Sequence, residues 1–108
     1  MAKNKIEKPQ KSCTLKDVLD VIGGKWSMPI IYNLSKGKMR FKEIERTIEG
    51  INTRMLVKEL KNLEANGIIT RSVFATVPPT VEYALTQKGM KLLPSIHSLY
   101  QWGQEYAM

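Results

Sequence analysis

The chain has 108 residues, of which 43% are hydrophobic, and this is enough apolar side chain for the core of one domain. A single cysteine and a single histidine exclude an intramolecular disulfide and leave a Cys/His zinc site without ligands. No apolar run approaches the roughly 18 residues of a membrane span, and the N-terminus lacks the apolar segment of a secretory signal. We therefore expect one cytoplasmic domain that uses no metal, cofactor or membrane.

Seventeen Lys and Arg against ten Asp and Glu give a net charge of +7, and this charge is unevenly distributed. Residues 1–12 carry four lysines against one glutamate, residues 36–71 carry nine basic residues against five acidic ones, and the rest of the chain sums to zero. Such a concentration is typical of a surface that binds a polyanion, although ordinary solubilising charge explains it equally well. Residues 1–12 predict a flexible basic arm, and residues 13–108 predict the folded domain.

Apolar residues recur at helical spacing through the first half of the domain. Residues 14–22 predict a first helix, which ends at Gly23-Gly24, and residues 26–34 predict a second helix. A turn follows at residues 35–38. Residues 41–48 then carry one apolar stripe of a short third helix.

The next helix is predicted from its N-cap Asn52 to Asn66-Gly67, where a left-handed turn ends it. Gly50 separates it from the short helix before it. Two helices joined by a short turn that contains glycine form the helix-turn-helix pattern.

After this pair of helices the hydrophobic period changes. Residues 68–74 are rich in β-branched side chains and residues 81–85 alternate apolar with polar, so they predict a two-stranded hairpin with a loop at Pro78-Pro79. Thr86 is expected to cap one final helix, which Pro94 in its interior should kink. The predicted fold is mainly α with a small β-hairpin (α+β), a winged helix-turn-helix with additional N- and C-terminal helices.

The helix of residues 52–66 has two opposite faces. Three leucines at helical spacing define its buried side: Leu56, Leu60 and Leu63. Three basic residues lie on the opposite side: Arg54, Lys58 and Lys61. This arrangement suits a recognition helix in the major groove, although a solvated face has the same composition. The preceding short helix and the following hairpin favour DNA.

Ten side chains are therefore candidates for DNA contact. We expect Thr53, Arg54, Val57 and Lys58 to approach base edges, because the first turns of a recognition helix usually meet the bases. The remaining basic candidates are expected beside phosphates. In chain order the candidates are Lys38, Arg40, Lys42, Asn52, Thr53, Arg54, Val57, Lys58, Lys61 and Thr80.

No motif in the chain indicates catalysis. There is no P-loop, no dinucleotide-binding glycine motif and no Ser/His/Asp arrangement. His97 is interpreted as a structural histidine. The segment Gly23-Gly24-Lys25-Trp26 has glycines that can cradle a phosphate, but we prefer a tight turn between helices with Trp26 in the core.

Four stretches of the chain resemble the HxlR-type family of bacterial winged helix-turn-helix regulators, which are distant relatives of the MarR type. They cover about residues 13–103 in the family's order. The stretches are Cys13 with Leu19-Asp20-Val21-Ile22-Gly23-Gly24-Lys25-Trp26, Arg40-Phe41-Lys42-Glu43-Ile44, Gly50-Ile51-Asn52-Thr53-Arg54-Met55-Leu56 continuing to Leu60-Leu63-Glu64-Gly67-Ile68, and Val77-Pro78-Pro79-Thr80-Val81-Glu82-Tyr83-Ala84-Leu85-Thr86 with Gly89.

The resemblance implies a dimeric transcription regulator that binds a double-stranded, pseudo-palindromic DNA operator and often answers to a small-molecule or oxidant effector. Two positions depart from the family pattern. Asn52 replaces a usual serine, and both residues cap helices well. Thr80 replaces a frequent arginine, which weakens the case for a cation from the wing in the minor groove. A protein-binding winged helix is the alternative function, because the fold also serves in pure interaction modules.

The last helix has more apolar residues than one stripe requires, and the resemblance implies that both terminal helices form the dimer interface. The alternative is that this surplus packs under the N-terminal arm. The candidate interface residues are Leu15, Val18, Leu92, Leu93, Ile96, Leu99, Tyr100 and Trp102.

Cys13 is the only thiol, and it lies where the arm meets the first helix. A helix N-terminus and the nearby Lys11 and Lys16 favour the reactive thiolate. The resembled family has members that sense oxidants or electrophiles through a cysteine at this position. Oxidation would give a disulfide to the other subunit, a mixed disulfide or an adduct. The alternative is a small, inert residue that fills the interface.

Overall fold

The structure is a computed structural model that describes residues 12–107. The flexible arm predicted for residues 1–12 lies outside the described residues except for Ser12. Helix α1 spans Leu15–Ile22, and a capping box fixes its start: the Thr14 hydroxyl accepts from the Asp17 backbone N–H at 3.1 Å, and the Asp17 carboxylate accepts from the Thr14 N–H at 3.0 Å. Helix α2 spans Ser27–Leu34. Both helices confirm the predicted segments to within one residue.

The helix-turn-helix consists of α3 (Phe41–Thr47) and α4 (Thr53–Ala65). Asn52 caps α4, because its side-chain oxygen accepts from the Met55 N–H at 2.8 Å. Gly50 in the turn has a φ of +91°, and Gly67 after α4 has a φ of +73°. This is the left-handed region that glycine occupies without strain, so both glycines allow the turns that separate the elements.

The wing is a three-stranded antiparallel sheet rather than the predicted two-stranded hairpin. Strands β2 (Ile69–Phe74) and β3 (Thr80–Leu85) form the hairpin, and β1 (Met39–Arg40) pairs with the other edge of β3, giving the order β1-β3-β2. A strand of two residues is too short to show a period of two in the sequence, and only its pairing with β3 reveals it.

The single kinked C-terminal helix predicted from the sequence is wrong. Helix α5 (Gln87–Met90) is separate from α6 (Leu93–Trp102), which continues into a π-helical turn at Gly103–Ala107. Thr86 caps the short α5, since its hydroxyl accepts from the Gly89 N–H. Pro94 lies in the first turn of α6, where the missing N–H breaks no helical hydrogen bond.

The core lies where α2, α3, α4 and α6 meet the sheet. Thirteen buried apolar side chains form it: Ile30, Ile31, Leu34, Ile44, Ile48, Leu56, Leu60, Leu63, Ile68, Ile69, Tyr83, Leu85 and Ile96. Helix α1 contributes no buried residue. No helix within residues 12–107 is long and apolar enough to cross a membrane.

Candidate nucleic-acid interface

Helix α4 has the two faces that the sequence predicted. Its three leucines are buried in the core, whereas Arg54, Lys58 and Lys61 are exposed. Val57 is exposed beside them. Within residues 12–107, no carboxylate pairs with these three cations, so their charges are available to an anionic partner.

The first turn of α4 is tied to α3. The Thr53 hydroxyl donates to the Glu45 carboxylate at 2.5 Å, and the Lys42 ammonium lies 4.0 Å from the same carboxylate. The side-chain oxygen of Asn52 is occupied by its capping bond. Thr53 and Asn52 therefore hold the start of the helix, and the nearby Arg54 extends from it into solvent.

A basic groove of about 710 Å³ lies between α3 and the wing. Three of the predicted phosphate neighbours, Lys38, Arg40 and Lys42, line it, and Arg46 joins them. Lys38 also forms an ion pair of 3.5 Å with Glu82 on β3. The structure thus brings together cations from β1 and α3 at the wing.

A second groove of about 350 Å³ separates α4 from the wing and contains Lys61 and Arg71. Residue Arg71 lies on β2 opposite Tyr83. Arg46 and Arg71 belong to the basic segment of residues 36–71, but neither is among the ten candidates for DNA contact predicted from the sequence. The charge of the segment was the only signal for them, because their approach to the other cations depends on how α3 and the sheet pack.

The tip of the wing carries no positive charge. Thr80 is half-buried at the start of β3, and its hydroxyl lies 2.8 Å from that of Thr76. Val77 is fully exposed at the tip. The tip of the wing therefore offers no cation for insertion into a minor groove, in line with the replacement of a frequent arginine by Thr80.

The remaining candidates lie on the terminal helices. Leu15 is 82% exposed and Leu99 is 55% exposed, and Val18, Tyr100 and Trp102 also face solvent. Leu92 and Leu93 are half-buried against the core. Ile96 is only 6% exposed and packs mainly inside its own chain, and it also lines the apolar groove beside Leu99 and Tyr100, so its place in a dimer interface stays a prediction.

Cys13 is exposed directly before the cap of α1, and its sulfur lies 3.4 Å from the Thr14 carbonyl oxygen. Lys16 is paired with Asp20 at 3.8 Å, and Lys11 lies outside the described residues. His97, interpreted from the sequence as structural, is exposed on α6.

Among the residues that the structure describes, Asp17 is the one group whose pKa is shifted. Hydrogen bonds from the Thr14 backbone N–H and then from its hydroxyl hold the pKa of the Asp17 carboxyl below its ordinary value of 3.8. Within residues 12–107, no three His, Cys, Asp or Glu side chains come together as a metal site would require.

A helix-turn-helix with an unpaired basic face, flanked by a winged sheet with two basic grooves, defines a DNA-binding protein of the winged helix class. The chain belongs to the HxlR-like helix-turn-helix family, whose model matches residues 21–108. Its relatives are transcriptional regulators, a role that is not enzymatic.

An HTH-type transcriptional regulator of Methanothermobacter thermautotrophicus is 44% identical over 94 residues, which are 87% of this chain and 72% of that protein. YybR, an HTH-type transcriptional regulator of Bacillus subtilis, is 42% identical over 102 residues, 94% of this chain and 82% of that protein. The structure of the redox regulator HypR in its oxidized form is similar with a TM-score of 0.81 and 44% identity, over 86% of this chain and 96% of that one. These comparisons confirm the family and the winged helix-turn-helix fold.

Proposed function

We propose that this protein is a sequence-specific, homodimeric regulator that binds a pseudo-palindromic DNA operator in the cytoplasm. The observation that carries the proposal is the geometry of α4, where Arg54, Lys58 and Lys61 are exposed opposite three buried leucines. A helix held in this way presents its basic face to the major groove, and the cations of the two grooves beside the wing supply phosphate contacts.

The terminal helices support the dimer. Leu15 and Leu19 on α1, together with Leu99 and Trp102 on α6, leave apolar surface exposed on elements that the helix-turn-helix does not use. Burial of one such leucine contributes about 1.5–3 kcal/mol. A second copy that covers these faces through a two-fold axis would place two recognition helices about one helical turn of DNA apart, roughly 34–36 Å.

Selection from a library of random DNA duplexes tests the proposal. We expect enrichment of an inverted repeat, and we expect the affinity for the selected duplex to fall steeply with salt because phosphate contacts release counterions. A scrambled duplex of the same length is the control. Equal affinity for selected and scrambled duplexes, without salt dependence, would favour the protein-binding alternative.

We also propose that oxidation of Cys13 changes DNA binding. The thiol is exposed in its own chain, at the start of a helix that we place in the dimer interface. The similar protein HypR is described as a redox regulator and has been solved in an oxidized and a reduced form. An oxidant such as diamide takes two electrons and two protons from a pair of thiols and leaves them joined in a disulfide, either between Cys13 of two subunits or between Cys13 and a small thiol, and this would displace α1.

Diamide treatment of the wild type and of Cys13→Ser tests this response. We expect diamide to change the wild-type affinity for the selected duplex by at least about tenfold, roughly 1.4 kcal/mol, and to leave Cys13→Ser unchanged. A serine retains the size and the hydrogen-bonding capacity of the thiol, so the variant is a matched control for packing. Equal responses of the two proteins would leave Cys13 as a structural residue.

A further inference from the structure

The junction between α1 and α2 contacts the helix-turn-helix at two places. Gly23-Gly24-Lys25-Trp26 connects the helices, and the ring of Trp26 lies against the turn between α3 and α4, 3.4 Å from where a side chain at Gly50 would begin. The second place of contact is the side of α4 that carries Glu59 and Asn62. This junction was interpreted from the sequence only as a tight turn.

Ser27, the first residue of α2, is fully buried, and its hydroxyl donates a hydrogen bond to the carboxylate of Glu59 on α4. A Cβ at Gly24 would lie 3.1 Å from one oxygen of the same carboxylate, so the glycine leaves the room in which the carboxylate sits. A hydrogen bond to a charged group is stronger than a neutral one, and leaving it unmade in a buried place is costly.

Asn62 forms a second connection on the same face of α4, since it follows Glu59 by three residues. Its side-chain N–H group donates to the carbonyl oxygen of Val21 at 3.2 Å. This carbonyl belongs to the last turn of α1, whose carbonyl groups have no partner within the helix. The side chain of Asn66 donates in turn to the Asn62 side-chain oxygen at 3.3 Å, which fixes the orientation of the amide.

We propose that Glu59 and Asn62 are positioning residues, which fix the direction of the recognition helix relative to the junction of α1 and α2: Asn62 holds the Val21 carbonyl at the end of α1, and Glu59 holds Ser27 at the start of α2. Helix α1 meets the core only through Val21 and Ile22, which are half-buried, so the bond from Asn62 to the Val21 carbonyl is a directional connection between α1 and α4. The bond from Ser27 to Glu59 ties the start of α2, directly after the junction, to the same helix. A displacement of α1 is therefore passed to the recognition helix. The inference rests on the proposed function, in which α1 forms the dimer interface and α4 reads DNA.

Four variants isolate the connection. Ser27→Ala removes the donor and keeps the negative charge, Glu59→Ala removes the acceptor, and Glu59→Gln removes the charge while keeping an acceptor. Ile30→Val shortens a buried side chain of the same helix and leaves both hydrogen bonds in place, so it controls for loss of stability.

The first measurement needs no DNA. Spin labels at Lys16→Cys on α1 and Glu64→Cys on α4, in a Cys13→Ser background diluted with unlabelled chains, report the distance between the two helices. We expect the distribution of distances to broaden in Ser27→Ala and Glu59→Ala and to stay narrow in Glu59→Gln and Ile30→Val. A narrow distribution in the first two variants, or equal broadening in Ile30→Val, would overturn the inference.

The second measurement compares the affinity for the duplex selected by the wild type with that for a scrambled duplex, under conditions where every variant is folded. We expect the ratio of the two affinities to fall about tenfold in Ser27→Ala and in Glu59→Ala. The double variant that carries both substitutions should show no further fall, and Glu59→Gln should keep the wild-type ratio. Asn62→Ala should lower the ratio in the same way. Wild-type ratios in Ser27→Ala and Glu59→Ala would contradict the inference, whereas failure of the proposed function would appear as no discrimination by the wild type itself.

Discussion

Arg54 is the basic residue nearest to the start of α4. It lies in the first turn of the helix, and within residues 12–107 it has no ion-pair partner. Lys42, by contrast, lies on α3 beside Glu45 and lines the basic groove at the wing. A guanidinium can bond guanine at two atoms, whereas we expect a lysine in this groove to meet the phosphate backbone.

Arg54→Ala should therefore reduce the affinity for the selected duplex by about 1–3 kcal/mol and change the affinity for scrambled DNA much less. Lys42→Ala is the matched control, because a lost phosphate contact weakens binding to all sequences alike and lowers the slope of log affinity against log salt by about one. Titrations of both duplexes at several salt concentrations measure these effects. Unchanged affinities of Arg54→Ala for both duplexes would remove this residue from the interface.

Gly89 shows how one residue secures the C-terminal helices to the sheet. It is buried in α5, and a Cβ at this position would lie 2.3 Å from the carbonyl oxygen of Ile68. That carbonyl also accepts a hydrogen bond from the Thr86 N–H at 3.0 Å, so it is held in place. Only a residue without a side chain allows this approach.

Gly89→Ala should lower the free energy of unfolding by about 1–3 kcal/mol, the usual cost of overpacking. Gly103→Ala serves as the control, since a Cβ there has no neighbour within 4 Å in the described part of the chain and an alanine suits the helical backbone. Urea denaturation followed by circular dichroism measures both. Equal stability of Gly89→Ala and the wild type would show that the backbone at Ile68 yields easily.

Helix α1 is weakly supported by its own chain. It has eight residues, fewer than an isolated helix needs to be stable in water, and only Val21 and Ile22 at its end pack, half-buried, against the core. Its capping box and its contacts with α4 hold it in place, and a second copy would add packing on Leu15 and Leu19. The capping carboxylate of Asp17 therefore matters more here than in a helix embedded in a core.

Asp17→Ala should reduce the helical content of α1 at neutral pH. The pKa of Asp17 is lowered in the folded chain, so its carboxylate stabilises α1 fully above the ordinary pKa of 3.8. This stabilisation is lost as the pH falls through the lower pKa of the folded chain. The Cα chemical shifts of residues 15–22 should thus become less helical in the wild type at acidic pH. In Asp17→Ala they should already be less helical at neutral pH and change little with acid, and an identical acid response in both proteins would exclude this cap.

At the scale of the whole molecule, the largest concentration of exposed apolar side chains lies on the terminal helices rather than at the basic grooves. Basic residues line the grooves between the helix-turn-helix and the wing, and large apolar side chains are exposed on α1 and α6; the exposed apolar side chains on α4 and the wing are Val57, Val73, Phe74 and Val77. On α6 the exposed side chains border an apolar groove of about 300 Å³, where Tyr100 stacks with Tyr32 at 6.4 Å between ring centroids. Such a patch on a small protein is characteristic of an interaction surface.

Leu99→Glu should convert the dimer to a monomer, because in a two-fold interface one substitution places a charge in both halves of the contact. Light scattering at micromolar concentration should give half the wild-type mass. Val77→Glu is the control, since this side chain is fully exposed at the wing tip and the charge it introduces should leave the mass unchanged. A monomeric wild type would contradict the proposed dimer.

Much of the fold could be predicted because its signals are local. The apolar period of α4, its cap at Asn52 and its end at Gly67 all lie within one stretch of sequence, and the structure confirms each of them. The opposite placement of the leucines and the basic residues follows from helical geometry alone. The resemblance to HxlR-type regulators adds the class of protein.

Other features required the tertiary structure. Strand β1 exists because Met39 and Arg40 find partners on β3, and the burial of Ile96 depends on which side of α6 meets the core. Pro94 lies in the first turn of α6 rather than inside one long helix, since the chain turns between Met90 and Leu93.

The amino-acid sequence by itself determined the recognition helix and its basic face, because both depend on residues within a few turns of one another. The tertiary structure decided how that helix is held, through the bond between Ser27 and Glu59 over 32 residues and the bond from Asn62 to Val21 over 41. A hydrogen bond between segments so far apart leaves no periodic signal in the sequence, since it depends on the packing of α1, α2 and α4 in three dimensions.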